Sequence, residues 1–302
     1  MYRCCKRVSH EKICVFFLIL LSLSVINKAF ADFEDGEITE KYRSSIPSFR
    51  QVDITEGDEG ETYDGLINFI SPESIQKASE KYDTFGNNAQ IILPCLLLGG
   101  ISIAQPAYNH FDSSLLFIAK AIGAAVLGVE MGDLLSGLHH ATLDNIDYRN
   151  KSYPLFLRTG AYIFQAHHKY PKQVTKASYW MLTRISYKEI LLPLVLTAIS
   201  TYSGYDQYSA VVAISLLTFA QDQFVHACTH GKKNIFPPLQ KAIKWLQNHP
   251  ILLNPRHHAR HHKNPTDEGF CGVTGHMDVI LNPIIRGIKS VLQTVQNFRR
   301  GH

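Results

Sequence analysis

Four blocks of apolar sequence limit what this chain can fold into. Ala89 to Ala107, Ser114 to Leu138, Ile190 to Tyr202 and Tyr208 to Val225 each approach the length of a bilayer-crossing helix, about 20 residues, although the third is short and holds Pro193. Residues 108–112 (YNHFD) join the first two blocks and residues 203–207 (SGYDQ) join the second two, so the sequence predicts two helical hairpins. The expected fold is all-α: an integral membrane helical bundle of about four spans. A soluble all-α bundle is the rival, because the mean hydropathy of the whole chain is only −0.06 and no run is free of interruption.

The N-terminal third reads differently. In residues 1–31, Arg3, Lys6, Arg7 and Lys12 precede an apolar run from Ile13 to Ile26, and Ala29-Phe30-Ala31 supplies a small-residue cleavage pattern. This is a signal peptide, or an uncleaved N-terminal anchor. Residues 32–85 follow as an acidic leader with 14 Asp and Glu against 5 Lys and Arg, a composition expected to be partly disordered. The membrane-embedded domain is therefore residues 86–302. Of six cysteines, three fall in residues 1–31, while Cys95, Cys228 and Cys271 are far apart with no C-x-x-C spacing, so no disulfide framework is expected.

Two hairpins put both short turns on one side of the membrane and everything else on the other. All the histidine-rich segments fall on that other side: of 15 histidines, 11 cluster between residues 139 and 276. The densest stretch is RHHARHH, residues 256–262, where His257 with His261 and His258 with His262 are helical i, i+4 neighbours. His139 and His140 end the second block, with Asp133 a turn or two before and Asp144 four residues after His140. His167 and His168 stand in FQAHHKYP; being adjacent, they cannot both face one way on a regular helix, so one is expected to bind and the other to pack or hydrogen-bond. His226 and His230 close the fourth block behind Gln221, Asp222 and Gln223, expected to orient the imidazoles; His276 lies downstream in FCGVTGHMD. The turns hold no Lys or Arg whereas residues 149–188 hold eight, which places the histidine face in the cytoplasm; a cleaved signal peptide would export it instead.

Histidines in this number call for more than one metal ion. A zinc site is satisfied by three or four ligands, while imidazole also suits iron and copper. Eight or more on one membrane face fit two iron ions that activate dioxygen for attack on an unactivated C–H bond of a lipid chain. The candidate ligands are His140, Asp144, His167, His168, His226, His230, His257, His258, His261 and His262, with Asp133, His139 and His276 as further candidates.

The ordered elements DLLSGLHH…D, FxxHHxxP, HxxxH, RHHARHHKNP and FCGVTG, over roughly residues 120–285, resemble the lipid desaturase family, which includes plasmanylethanolamine desaturase (Kua-type) proteins and the plant desaturase of phosphatidylglycerol palmitoyl chains. The resemblance implies an iron-dependent, oxygen-using oxidoreductase that takes electrons from a small carrier, cytochrome b5-like or ferredoxin-like, and acts on a membrane glycerolipid; nothing points to nucleic acid. It maps the motif histidines onto His140, His167, His168, His226, His230, His257, His258, His261 and His262, and the motif aspartate onto Asp144. The pattern departs at Gln165 and Ala166, where the resemblance leads one to expect a Glu before the paired histidines, and at His276, where it leads one to expect an aromatic residue. Rival readings are a lipid hydroxylase on the same centre, a membrane zinc hydrolase, a haem electron carrier and a histidine-rich metal store. The hydrolase lacks an H-E-x-x-H; the carrier would leave most clusters surplus; a store would scatter its histidines in a polar tract.

Overall fold

A computed structural model describes residues 85–109, 115–150, 152–172, 174–204, 208–233, 235–265 and 267–300. The expected targeting segment, nearly all of the acidic leader, and the tips of both hairpin turns lie outside the described residues. Among the described residues every regular element is helical: α1 (Phe85–Asn109), α2 (Leu115–Asn145), α3 (Leu155–Lys169), a single 3-10 turn (Val174–Lys176), α4 (Tyr179–Tyr202), α5 (Ser209–Phe219), α6 (Asp222–Thr229), α7 (Pro237–Asn248), α8 (Pro255–His261) and α9 (Asp278–Arg300).

Two of these helices, α1 from Asn88 and α2, are long and apolar enough to cross a membrane; α5 and α6 together make a third if their 43° bend is one broken span. The predicted third block falls short as a span of its own, because the first half of α4 carries Arg184, Lys188 and Glu189. Its Pro193 is tolerated inside the helix, and Ser178 caps the start by accepting from the Met181 amide at 3.1 Å.

The bundle is centred on α5. It packs on α1, α2 and α4, and α1 packs in turn on α4, so the helix of the second predicted hairpin lies between the two helices of the first. Small residues set that arrangement. A Cβ on Gly132 of α2 would sit 2.6 Å from the Ser215 carbonyl oxygen of α5, and one on Gly128 would sit 2.7 Å from Ile214. Helices in lipid gain little from hydrophobic exclusion, so this backbone-to-backbone approach is what holds the α2–α5 pair. On the other flank, Cys95, Leu98, Tyr187, Ile190, Leu191, Leu194, Ala198 and Ala213 form the main buried cluster between α1, α4 and α5.

The site end of the bundle is closed by the segment after α8. Asp133, fully buried in α2, accepts the amides of Val273 and Thr274 through Oδ1 (3.0 and 2.7 Å), and those of Gly275 and Met277 through Oδ2 (3.1 and 3.3 Å). Ser136 accepts the Gly272 amide at 3.0 Å, so one stripe of α2 pins the whole FCGVTG turn. Two glycines with positive φ, Gly269 at 77° and Gly275 at 79°, bend the chain around α8.

Candidate metal centre

The end of the long helix α2 and three shorter helices bring their imidazoles to one end of the bundle. α2 continues without a break through Asn145, so His140 and Asp144 share a stripe one turn apart and both are buried. α3 delivers His167 and His168 from its last turn, and α6 delivers His226, with His230 as its C-terminal cap residue. α8 forms because Asn254 caps it, accepting the Arg256 amide at 2.8 Å, and Pro255 occupies its first position. Only about two turns long, it nevertheless carries His257, His258, His261 and His262.

The side chains sort into two groups. His167, His226, His230, His258 and His262 form one; His140, Asp144, His168 and His261 form the other; within each, the candidate donor atoms lie within 4.8 Å of one another. In the first group His230 is the hub: its Nε2 lies 3.1 Å from that of His167, 3.2 Å from those of His226 and His262, and 3.0 Å from that of His258. In the second, His140 and His261 Nε2 approach to 3.1 Å, His168 Nε2 lies 2.9 Å from Asp144 Oδ1, and Asp144 Oδ2 faces His140 and His261 at 3.4 and 3.5 Å. The groups adjoin, since the His140 and His226 rings are 5.6 Å apart between centroids and those of His168 and His262 5.0 Å.

Hydrogen bonding does not account for this crowding. A neutral imidazole has one N–H, so His230 Nε2 can satisfy one of its four neighbours and must face the lone pairs or protons of the others. A cation at the common centre resolves it. Neighbouring donors at right angles around a metal with bonds of about 2.1 Å stand about 3.0 Å apart, which matches the Nε2 spacings of the hub. The protonation states agree. Burial pushes His168, His261 and His262 down to about 4, which keeps them neutral, the form able to donate a lone pair, at physiological pH. His261 is further oriented: its Nδ1–H donates to the Glu268 carbonyl at 2.7 Å and leaves Nε2 free to face the group.

Several expectations meet a different geometry. The adjacent His167 and His168 both point inward, one to each group, because two clusters of donors rather than one lie beneath the end of α3. His257 lies outside both groups: it stands at the edge of the α8 arc, where its Nε2–H donates to Asp278 Oδ2 at 2.7 Å and Arg260 donates to its Nδ1. His139 also lies outside, its ring edge-on to Phe164 and Phe219. Asp133 spends its oxygens on the 273–277 backbone, as above. His276 bridges Glu130 of α2, at 2.9 Å from Nδ1, and the Pro250 carbonyl, at 2.7 Å from Nε2. Gln221 bonds Tyr179 and Tyr187 of α4, and Gln223 bonds Asp222, in place of the imidazole contacts expected of them.

The Gln165 departure has a physical reason. Its amide donates to the Leu143 and Ile146 carbonyls at 3.0 and 2.8 Å, capping the C-terminal end of α2 just where Asp144 is held. A glutamate cannot make those donations. Two positioning groups gave no signal beforehand: Asp278, an acid in the first turn of α9, and the backbone oxygen of Glu268.

His276 yields a pH prediction. Both ring nitrogens face oxygen acceptors, so the imidazolium is the form that satisfies them, and the Glu130 hydrogen bond, outweighing partial burial, raises its pKa above 6.5. Glu130, Asp133 and the Pro250 carbonyl are the groups facing it. A raised folded-state value contributes stability that is complete below about pH 6.5 and lost as pH rises through the raised value. The melting temperature in detergent should therefore fall slightly more from about pH 6 to about pH 8 for the native chain than for His276→Gln. Identical slopes would show that the His276–Glu130 pair contributes no such stability.

A model of the family described as lipid desaturase domain matches residues 129–295, a stretch that contains all nine converging side chains. "Fatty acid desaturase 4, chloroplastic" of Arabidopsis thaliana is 31% identical over 189 residues, 60% of this chain and 53% of that protein. "Fatty acid desaturase 4-like 1, chloroplastic", from the same plant, is 32% identical over 188 residues, 60% of this chain and 58% of that protein. The chain thus spans little more than half the length of these curated relatives. No solved structure matches.

Proposed function

The chain belongs to the lipid desaturase domain family, and on that premise we propose that it is a membrane lipid desaturase built on a dinuclear iron centre. The observation that carries the reading is the pair of adjoining donor groups, five imidazoles in one and three imidazoles with a carboxylate in the other. One ion would be held by His167, His226, His230, His258 and His262, the second by His140, Asp144, His168 and His261. When bound, the pair supplies activation of dioxygen and removal of hydrogen from an unactivated methylene.

The chain's own residues supply the frame. α3 and α8 each offer donors to both groups, α3 through His167 and His168, α8 through His258 and His262 on one side and His261 on the other, while α2 offers His140 and Asp144 to the second alone. Gln165 holds the end of α2 so that Asp144 stays buried, and Phe164 and Phe270 stand edge-on to His140, keeping water from that side. Five imidazoles exceed the four-coordinate demand of a structural zinc and the three protein ligands of a catalytic one, which favours iron over the zinc-hydrolase reading.

The substrate is a glycerolipid with an alkyl or acyl chain, dioxygen is the oxidant, and a small cytochrome b5-like or ferredoxin-like carrier supplies electrons. The protein is integral to the membrane and multi-pass, with the metal groups at one face, the basic and cytoplasmic one by charge distribution. The test is elemental analysis of detergent-purified protein with lipid mass spectrometry of the membranes that contain it. About two irons per chain, no haem band and a lipid lacking two hydrogens are expected. One zinc per chain, or a lipid that gains an oxygen atom instead, would overturn the desaturase reading.

A further inference from the structure

Helix α9 presents an apolar face that, past its first turns, no other described part of the chain covers. On a helical projection, Ile280, Leu281, Ile284, Ile285, Ile288, Val291, Leu292 and Val295 fall on one side, and Asn282, Arg286, Lys289, Gln293 and Asn297 on the other. Near the start of the helix the face is used: Leu281 is buried and Ile285 packs, with Leu134 of α2, on the small cluster around Ala141 and Phe270. Beyond that it stays largely open among the described residues. Ile288 is 52% exposed, Val291 62% and Leu292 55%.

We propose that α9 lies in the plane of the membrane surface, its apolar face seated in the outer acyl region of the bilayer that α2 crosses and its basic face toward anionic headgroups. The occupant is lipid for three reasons. The bare face continues that of a candidate span: Leu281 and Ile285 pack beside Leu134 near the site end of α2, and Met131 and Leu138, which flank Leu134 on the same side of α2, are themselves exposed. The helix is 23 residues long, yet it is not among the helices apolar enough to cross, which suits a helix lying on the membrane. By sequence its charges are Arg286, Lys289, Arg299 and Arg300 against the single acid Asp278; Lys289 also pairs with Asp267 at 2.8 Å, and the Asp278 carboxylate is taken up by His257 and the Cys271 amide. A basic helix with an apolar stripe fits an anionic lipid surface.

The placement reaches the metal groups without depending on their chemistry. Asp278, the first residue of α9, ties His257 of α8 to Cys271 of the closing turn, so the depth of α9 sets where α8 sits relative to the headgroups.

The test is nitroxide accessibility in the full chain reconstituted into phosphatidylcholine–phosphatidylglycerol vesicles. Labels are placed at Ile288→Cys on the bare face and at Gln293→Cys on the polar face; Cys4, Cys5 and Cys14 are replaced by Ser and the buried Cys95, Cys228 and Cys271 are left. The ratio of oxygen to aqueous nickel-chelate collision is expected to be about tenfold higher at 288 than at 293, as for a helix half-sunk in an interface. Equal access of the chelate to both positions would overturn the proposal. So would shielding of position 288 from both reagents, which would mean a protein covers the face, with dipolar broadening identifying a second copy of this chain.

Discussion

His230→Ala is expected to empty the five-imidazole group and to lower turnover by about a hundredfold or more, since even indirect support of a metal ligand is worth about 10–100-fold. The reason is its central place: His230 Nε2 lies within 3.2 Å of four other imidazole nitrogens, whereas the other members of the group are in such contact with fewer. His230 also lines a cavity of about 520 Å³ together with Lys172, Thr175 and Lys176, which alanine would enlarge. The control is His139→Phe, whose ring would keep its edge-on contacts with Phe164 and Phe219 and whose metal content should not change. Metal per chain and helical content are measured on both proteins. Unchanged iron and turnover in His230→Ala would sink the assignment of the group, and loss of iron in both would point to a fold that tolerates neither.

Much of this was legible because helical spacing is a strong constraint. His140 with Asp144, His226 with His230 and His258 with His262 are each four apart, so any helix through them places the two side chains on one face. The apolar blocks located α1, α2 and α5 for the same reason. Two things were hidden. Pairing of spans is one: adjacent blocks invite a hairpin, but the choice of α5 as the partner of α2 depends on Gly128 and Gly132 meeting Ile214 and Ser215, which is a matter of shape and not of hydropathy. The division of labour among histidines is the other. His257 belongs to the densest cluster and yet faces Asp278, because a carboxylate 21 residues downstream reaches the edge of α8 and captures the ring. The sequence expectation for His167 and His168 is that one binds and the other packs or hydrogen-bonds; they do part ways, but between two donor groups.

Asp133→Asn is expected to unfasten the closing turn while leaving the spans inserted, and it separates two roles for this residue. A carboxylate that receives the amides of Val273, Thr274, Gly275 and Met277 and the Thr274 hydroxyl is an acceptor at both oxygens; an amide turns one of these into a donor aimed at donors. Leaving buried amides unpaired costs about 1–3 kcal/mol for each group that finds no substitute, and more for partners of a charge, so a net loss of about 3 kcal/mol is reasonable. Amide hydrogen exchange over residues 269–277 should rise sharply and the melting temperature should fall. The Cys271–Asp278 link loosens with the turn, so α8 should hold its metal more weakly without losing a ligand. Excess iron should therefore restore loading in the variant. A direct ligand predicts the reverse: one metal lost beyond rescue, with the turn still protected from exchange. That second pattern would return Asp133 to the metal centre and leave the turn to be held by Ser136 alone.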